Sequence, residues 1–449
     1  MTARKPAPST GRTARDALVW LAIYVVAVTA PLFALLPDAR GSGAGFGWDF
    51  AMALGYAGLA MLGVQFALTA RFRRATAPFG IDIVYYFHRY LAVFALAIVL
   101  GHYAILRVAY PETLGRASPA DAEAYMTAGR VALALFALVV ASSLLRRRFK
   151  LDYDVWRIAH ALLSTAAFAA AIWHLWGAGY YLDTRWKHAI WVAYCAFWVL
   201  LIAYVRLWRP WRVARQAWTV AEVRGERGRV WTLALEPAAG GGLKFSPGQF
   251  AWLSLRASPF AMREHPFSIA SSAEQPQRIE LSIKELGDFT STIKDIRVGE
   301  PAFIDAPYGT FGIDQRPDAH GYVFVAGGVG IAPIMCMLRT LADRGDRRPL
   351  LLFYGNRVWE RIAFREELEA LSQRLDLKVV HVLLEPPAGW TGETGFVTED
   401  VLMRHLPITR HRFDYFLCGP TPMTKGVEEA LATLGIAAER VHSEIFDWV

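Results

Sequence analysis

Two apolar segments of this chain each carry a pair of histidines at the same interval. His88 and His102 lie 14 residues apart in one segment, and His160 and His174 lie 14 apart in the other. A helix turns about 100° per residue, so that interval returns a side chain to nearly the same face about 21 Å further along the axis. Each segment therefore presents two imidazoles on one stripe, one near each end of a bilayer-spanning helix. A single histidine in an apolar helix is more often a hydrogen-bonded packing residue than a ligand. Ionisable groups at membrane depth are costly, however, and usually mark function. The repeated interval therefore favours ligation. Two such helices side by side offer two facing imidazole pairs at two depths, the arrangement that two stacked haems require.

Six apolar stretches are long enough to span a bilayer, near 17–36, 48–69, 82–107, 129–145, 156–177 and 188–208. They account for a hydrophobic share of 54% and a mean hydropathy of +0.26. The net charge of +8 does not point to nucleic acid, because the basic residues sit in short loops beside apolar segments. Arg4, Lys5, Arg12 and Arg15 precede the first stretch, and Arg71, Arg73 and Arg74 follow the second. Arg146, Arg147, Arg148 and Lys150 follow the fourth, and Arg206, Arg209, Arg212 and Arg215 follow the sixth. The long opposite loop carries Glu112, Asp121 and Glu123. This asymmetry predicts both termini in the cytoplasm of a cell (inner) membrane protein, with a retained first helix and no removed signal peptide. The third and fifth helices then run parallel, so His88 pairs with His160 near the cytoplasmic face and His102 with His174 near the outer face. His188 is the rival ligand, but it has no partner at the repeated interval. The Trp- and Arg-rich segment 206–216 reads as an interfacial anchor contacting membrane lipid and as a linker. Cys195, Cys336 and Cys418 are too few for a disulfide framework.

Beyond residue 217 the periodicity changes. Short β-rich runs at 217–223, 229–236, 250–256 and 279–284 predict a small antiparallel barrel. From about 320, strands alternate with helices, as in an α/β doubly wound parallel sheet. His265-Pro266-Phe267-Ser268 is expected between two barrel strands. Lys284 leads through Gly287 into Phe289-Thr290-Ser291, where a short helix start offers amide groups to an anion. Gly327, Gly328 and Gly330 follow a strand and precede Pro333 in a helix, a turn suited to a dinucleotide pyrophosphate. Cys418-Gly419-Pro420 lies at the carboxyl end of a later strand, where it borders a nicotinamide or is simply a buried strand end. Arg357 and Arg361 follow the 350–355 strand, where an Arg accommodates a ribose 2′-phosphate and so favours NADPH, or else belongs to a solvated loop.

Taken in order, the paired histidines, His265–Ser268, Gly287–Ser291, Gly327–Pro333, Cys418–Pro420 and the terminal Glu444-Ile445-Phe446 resemble the ferric reductase and NADPH oxidase superfamily, over nearly the whole chain from about 17 to 449. The resemblance implies a multidomain membrane protein: a six-helix transmembrane di-haem domain over 17–210, a FAD-binding antiparallel β-barrel over 215–315 and an NAD(P)H-binding domain over 318–449. It implies FAD, two b-type haems and NADPH, with NADH as the alternative donor. By resemblance, Ser268 meets the flavin N5 edge with His265, Pro266 and Phe267 around it, and Gly287 to Ser291, with Lys284 before them, hold the FAD pyrophosphate. Gly327 to Pro333 hold the dinucleotide phosphates, Cys418 to Pro420 lie by the nicotinamide, and Phe446 stacks on the flavin, with Trp448 as a competing candidate.

The implied activity is an NAD(P)H oxidase passing electrons through FAD and two haems to dioxygen outside, producing superoxide. A ferric-chelate reductase uses the same path and shares every motif. An electron-transfer subunit for a periplasmic protein, docking on loop 108–128, is a third reading, although no obligate protein partner is evident, and a non-redox transporter is a fourth. Arg107, Tyr103, Tyr180, Lys187 and His188 are the candidates that contact a small acceptor. No calcium-loop motif or long regulatory extension is present, which leads us to expect constitutive activity.

Overall fold

The computed structural model describes residues 10–33, 45–72, 81–116, 118, 120–182 and 184–445. The chain divides between Pro210 and Trp211 into two compact units.

The first unit is helical: α1 Thr10–Phe33, α2 Phe46–Leu68, α3 Ile81–Ala109, α4 Ala124–Leu145, α5 Tyr153–Ala178 and α6 Arg185–Ala203. Among the described residues, five helices are long and apolar enough to cross a membrane, namely α2 to α6. The apolar part of α1, Ala17–Leu32, is shorter. The first six residues of α1 include Arg12 and Arg15, and Pro31 lies in its last turn, so its helical length exceeds its apolar length. Two helical hairpins dominate the packing, α2 against α3 and α4 against α5. Both ends of α5 are fixed locally. Asp152 accepts from the Val155 N–H at 2.9 Å, and Gly179 takes the left-handed conformation (φ 65°) that closes the last turn. Trp191, Trp198, Phe136 and Phe168 fill the core, while Phe94, Leu138, Leu162 and Val199 face outward, as lipid contact requires. The segment beyond α6 is helical throughout, through a π-type turn at Tyr204–Trp208 and α7 Arg209–Ala214. The linker expected over 206–216 is therefore helical for most of its length.

The second unit contains two sheets. The first is antiparallel: β1 Trp218–Glu226, β2 Val230–Pro237, β3 Phe250–Leu255, β4 His265–Ser268, β5 Ile279–Lys284 and β6 Pro301–Tyr308, in the order β4-β3-β6-β1-β2-β5. A single bridge, Ile269 to Leu281, connects the chain just after one edge strand to the other edge strand. The motif expected between strands, His265–Ser268, is itself strand β4, with His265 opposite Leu253 and Ser268 opposite Phe250. Its proline sits in an edge strand, where a missing N–H is tolerated. A one-turn helix, α8 Asp288–Ser291, follows β5.

The second sheet is parallel: β7 Tyr322–Gly327, β8 Leu350–Asn356, β9 Leu377–Leu383, β10 Glu393–Thr394, β11 Asp414–Gly419 and β12 Val441–Ile445, in the order β10-β9-β8-β7-β11-β12. Its principal helices are α9 Ile331–Asp343, α10 Arg365–Arg374, α11 Glu399–His405 and α12 Thr421–Thr433. The winding runs outward from β7 to β10, then returns to β11 on the other side of β7. Between β7 and β11 the order reverses, and ligands of such sheets bind at that carboxyl edge.

Helix α9 ties the two sheets together. Cys336 Sγ accepts from the Gly248 N–H at 3.4 Å, and Thr340 Oγ1 accepts from the Ala273 N–H at 2.9 Å. Arg339 donates to Glu280 of β5, to Glu367 of α10 and to the Ala270 carbonyl, at 2.6 to 3.0 Å. Its side chain is 13% exposed and that of Glu280 12%. Arg224 and Arg278 also reach Glu280, at 3.5 and 3.4 Å, so removing the Arg339 guanidinium leaves Glu280 paired but strips its shortest ion pair, the Glu367 pair and the bond to the Ala270 carbonyl. Arg339→Ala is expected to destabilise the second unit by about 3 kcal/mol. Thermal unfolding of the detergent-purified chain checks this, and a loss under 1 kcal/mol contradicts the assigned role.

Candidate functional site

In the helical unit, His88 and His102 both lie on α3, and His160 and His174 both lie on α5. The rings of His88 and His160 stand 6.4 Å apart between centroids, with planes crossed at 65°. Two imidazoles binding one metal from opposite sides stand about 6 Å apart, given metal–nitrogen bonds of about 2 Å. His102 and His174 lie within electrostatic reach of one another.

Hydrogen bonding determines which nitrogen each ring offers. His102 Nδ1 lies 2.7 Å from the Ala51 carbonyl of α2, and His174 Nδ1 lies 3.0 Å from the Tyr125 carbonyl of α4. A carbonyl only accepts, so both Nδ1 atoms carry the proton and both Nε2 atoms present a lone pair. His160 Nδ1 lies 3.2 Å from Ser143 Oγ, whose own proton goes to the Val139 carbonyl at 2.6 Å. Ser143 Oγ therefore accepts from His160, and Nε2 is again the free base. His88 Nδ1 is buried and has no partner among the described residues.

Two glycines create the space for this arrangement. A Cβ on Gly55 would lie 3.0 Å from His102 Nδ1, and a Cβ on Gly129 would lie 2.7 Å from His174 Nδ1. Each glycine follows its accepting carbonyl by one turn, Gly55 after Ala51 and Gly129 after Tyr125. In sequence neither glycine stands out, since a glycine in an apolar helix looks like any small packing residue. The shared offset of four residues from the accepting residue was the available signal. His188, the rival, is exposed. Its Nδ1 lies 3.3 Å from the Thr184 carbonyl, and its ring packs beside Trp176. Lys187 is fully buried, Tyr103 and Tyr180 are exposed, and Tyr180 accepts through its carbonyl from the Tyr56 hydroxyl at 2.5 Å.

In the second unit, β4 and α8 come together. The His265 ring stacks on Phe289 at 3.9 Å, and Phe267 lies parallel to Phe289 at 6.0 Å. Ser268 is buried, and its hydroxyl has no partner among the described residues. The amides around Gly287 are not all open to an anion. Thr290 Oγ1 accepts from the N–H groups of both Leu286 and Gly287 at 2.9 Å. That leaves the first-turn amides of 288–290, which a helix does not satisfy internally.

The glycine turn and the Cys418 edge meet at the point where the strand order reverses. A Cβ on Gly330 would lie 2.1 Å from the Cys418 carbonyl, and one on Gly419 would lie 3.1 Å from Gly327 N. Lys284 Nζ is 3.8 Å from the Cβ position of Gly328, so a cation from β5 stands over the turn that opens α9, with Pro333 in its first turn. Cys418 is fully buried, and burial, with the nearby Glu444 carboxylate, holds its thiol protonated well above the usual thiol range. Pro420 begins the turn into α12. Arg357 leaves β8 with its guanidinium on Glu385, at 2.8 to 2.9 Å, and the Arg361 charge also acts on Glu385. Phe446 and Trp448 lie outside the described residues; the last described strand residue, Ile445, pairs with Gly419.

Residues 54–172 match the family described as ferric reductase like transmembrane component, 221–311 match FAD-binding domain and 324–429 match oxidoreductase NAD-binding domain. NADH-cytochrome b5 reductase 1 of Pyricularia oryzae is 33% identical over 185 residues, which cover 40% of this chain and 60% of the relative. The reductase component of propane 2-monooxygenase from Rhodococcus jostii is 31% identical over 224 residues, 48% of this chain and 59% of the relative. The chain thus spans about three fifths of the length of these curated relatives. Among solved structures, the FAD/NAD binding domain of nitric oxide dioxygenase from Vibrio cholerae aligns with 51% of this chain and 98% of that chain, at 22% identity and a TM-score of 0.46. The chain thus resembles, in order, a ferric-reductase-like transmembrane component, a FAD-binding domain and an oxidoreductase NAD-binding domain, the architecture of the ferric reductases and NADPH oxidases, and its matched transmembrane region holds apolar helices long enough to cross a membrane.

Proposed function

We propose that the chain carries electrons from NADPH, through FAD and two b-type haems, across the membrane to dioxygen, producing superoxide. The observation that carries this reading is the state of the imidazoles. Two pairs on α3 and α5 lie at membrane depth, and three of the four rings have Nδ1 committed to an acceptor and Nε2 left as a base. That is the donor set haem iron takes from histidine. When bound, flavin supplies the step between two-electron hydride and one-electron iron chemistry.

His88 with His160 would hold the inner haem, and His102 with His174 the outer. Gly55 and Gly129 keep the outer pair in register by leaving room for the rings. Ser268, whose buried hydroxyl has no partner among the described residues, would meet the flavin edge, with the His265, Phe267 and Phe289 rings on the same side of the sheet edge. Gly327 to Gly330 and the α9 N-terminus would take the dinucleotide phosphates, and Lys284 would oppose their charge. Cys418, Gly419 and Pro420 would border the nicotinamide with a neutral thiol. Phe446 and Trp448 remain the candidates for stacking on the flavin. The basic loops after α2, α4 and α6 would face the cytoplasm, together with both termini and the flavin module. A sixth span at α1 and closure of the antiparallel sheet into a barrel complete this reading.

The family match over 54–172 favours ferric chelate as a second acceptor. Cytochrome c reduction by purified protein with FAD and NADPH separates the two. Loss of signal with superoxide dismutase supports the oxidase. Dismutase-insensitive activity, with ferrous iron formed anaerobically at a comparable rate, supports the reductase.

His102→Ala or His174→Ala is expected to remove one haem while flavin reduction by NADPH continues. Survival of both haems in either variant refutes the ligand assignment. Gly129→Ala is expected to lower haem content by displacing His174, while Gly101→Ala, whose Cβ would meet only Leu54 Cδ1 at 3.5 Å, leaves it unchanged. Equal haem content in the two, read by the pyridine haemochromogen spectrum, contradicts the cradle. Arg357→Ala is expected to raise KM for NADPH several-fold more than for NADH, and Glu385→Gln, which frees Arg357, to lower KM for NADPH. Parallel changes for both donors mean that Arg357 does not read the 2′-phosphate, and NADH, named in the matched b5 reductase, then becomes the leading donor.

A further inference from the structure

We propose that the hydrogen-bond partners of the four Nδ1 atoms grade the two irons, making the outer one the more reducing. The inference rests on the di-haem reading above. Both outer rings give their Nδ1 proton to a helix carbonyl, His102 to Ala51 at 2.7 Å and His174 to Tyr125 at 3.0 Å. A strong acceptor on Nδ1 makes Nε2 a better electron donor, which favours the ferric state and lowers the potential. The inner rings are held more weakly. His160 has the neutral hydroxyl of Ser143 at 3.2 Å, and His88 Nδ1 has no partner among the described residues.

The consequence is a path on which the electron moves from the easier iron to reduce to the harder one. An inside-negative membrane potential favours outward movement of negative charge and offsets that rise. The outer site then delivers single electrons at a low potential, as a poor one-electron acceptor such as dioxygen requires.

The test is an anaerobic potentiometric titration of the purified full chain, followed by haem absorbance, in wild type, His102→Ala, Ser143→Ala and Ser143→Thr. Haem content is measured first. Two haems per chain support the reading on which the proposal stands, and fewer refute that reading and the proposal with it. With two present, the account expects two resolved steps, with the lower-potential step missing from His102→Ala. If that variant fails to fold, His174→Ala gives the same assignment. Ser143→Ala should shift the higher step further upward and leave the lower unmoved, and Ser143→Thr, which keeps the hydroxyl, should restore it. A single shared midpoint, loss of the higher step in His102→Ala, or a Ser143→Ala shift in the lower step overturns the proposal while leaving the di-haem reading intact.

Discussion

An imidazole N–H at membrane depth has no water to meet, so its proton must find an acceptor within the protein. In this chain that demand is met for His102 and His174 by the backbone itself. The Ala51 and Tyr125 carbonyls already belong to helical turns, and each takes a second donor from a histidine on the neighbouring helix. Close approach is possible because Gly55 and Gly129 carry no Cβ. One bond thus fixes the tautomer, aims Nε2 away from the supporting helix and joins the two helices of each hairpin. The pairings α2 with α3 and α4 with α5 follow the same contacts.

The second unit solves a different problem, bringing two sheets of unlike topology to one edge. Helix α9 does this by opening at the glycine turn and docking its Cys336, Arg339 and Thr340 face on the antiparallel sheet. The Lys284 side chain of β5 thereby reaches the glycine turn after β7, its Nζ lying 3.8 Å from the Cβ position of Gly328. Gly330 and Gly419 are required by backbone contact, since β7 and β11 are adjacent strands whose exit turns lie against each other.

Much of this was legible in the sequence, because it depended on periodicity. The 14-residue interval put two histidines on one stripe of each of two helices, and the change from long apolar runs to short β-rich runs gave the order of the two units. The alternation after residue 320 gave the parallel sheet. What escaped depended on contacts between distant residues. Gly55, Gly129 and Ser143 are unremarkable until the helix that carries each histidine is laid against them. Thr290 reads as a phosphate ligand in sequence, but its hydroxyl is engaged by Leu286 and Gly287. The Arg357 guanidinium also meets Glu385, 28 residues away, in an exposed pair that the sequence does not show. His265–Ser268, expected between strands, is itself an edge strand, where the missing N–H of Pro266 costs little. The last part of the first expected span, 34–36, lies outside the described residues.

The central claim is that electrons cross the bilayer through the α3 and α5 imidazoles. The most direct measurement reconstitutes the purified chain in vesicles with cytochrome c trapped inside and adds FAD and NADPH outside. For molecules inserted with the flavin module outward, the account predicts reduction of the trapped cytochrome, abolished by His102→Ala while externally added soluble dyes are still reduced. Unimpaired reduction of external dyes by the wild type, with the trapped cytochrome remaining oxidised, would contradict a transmembrane path.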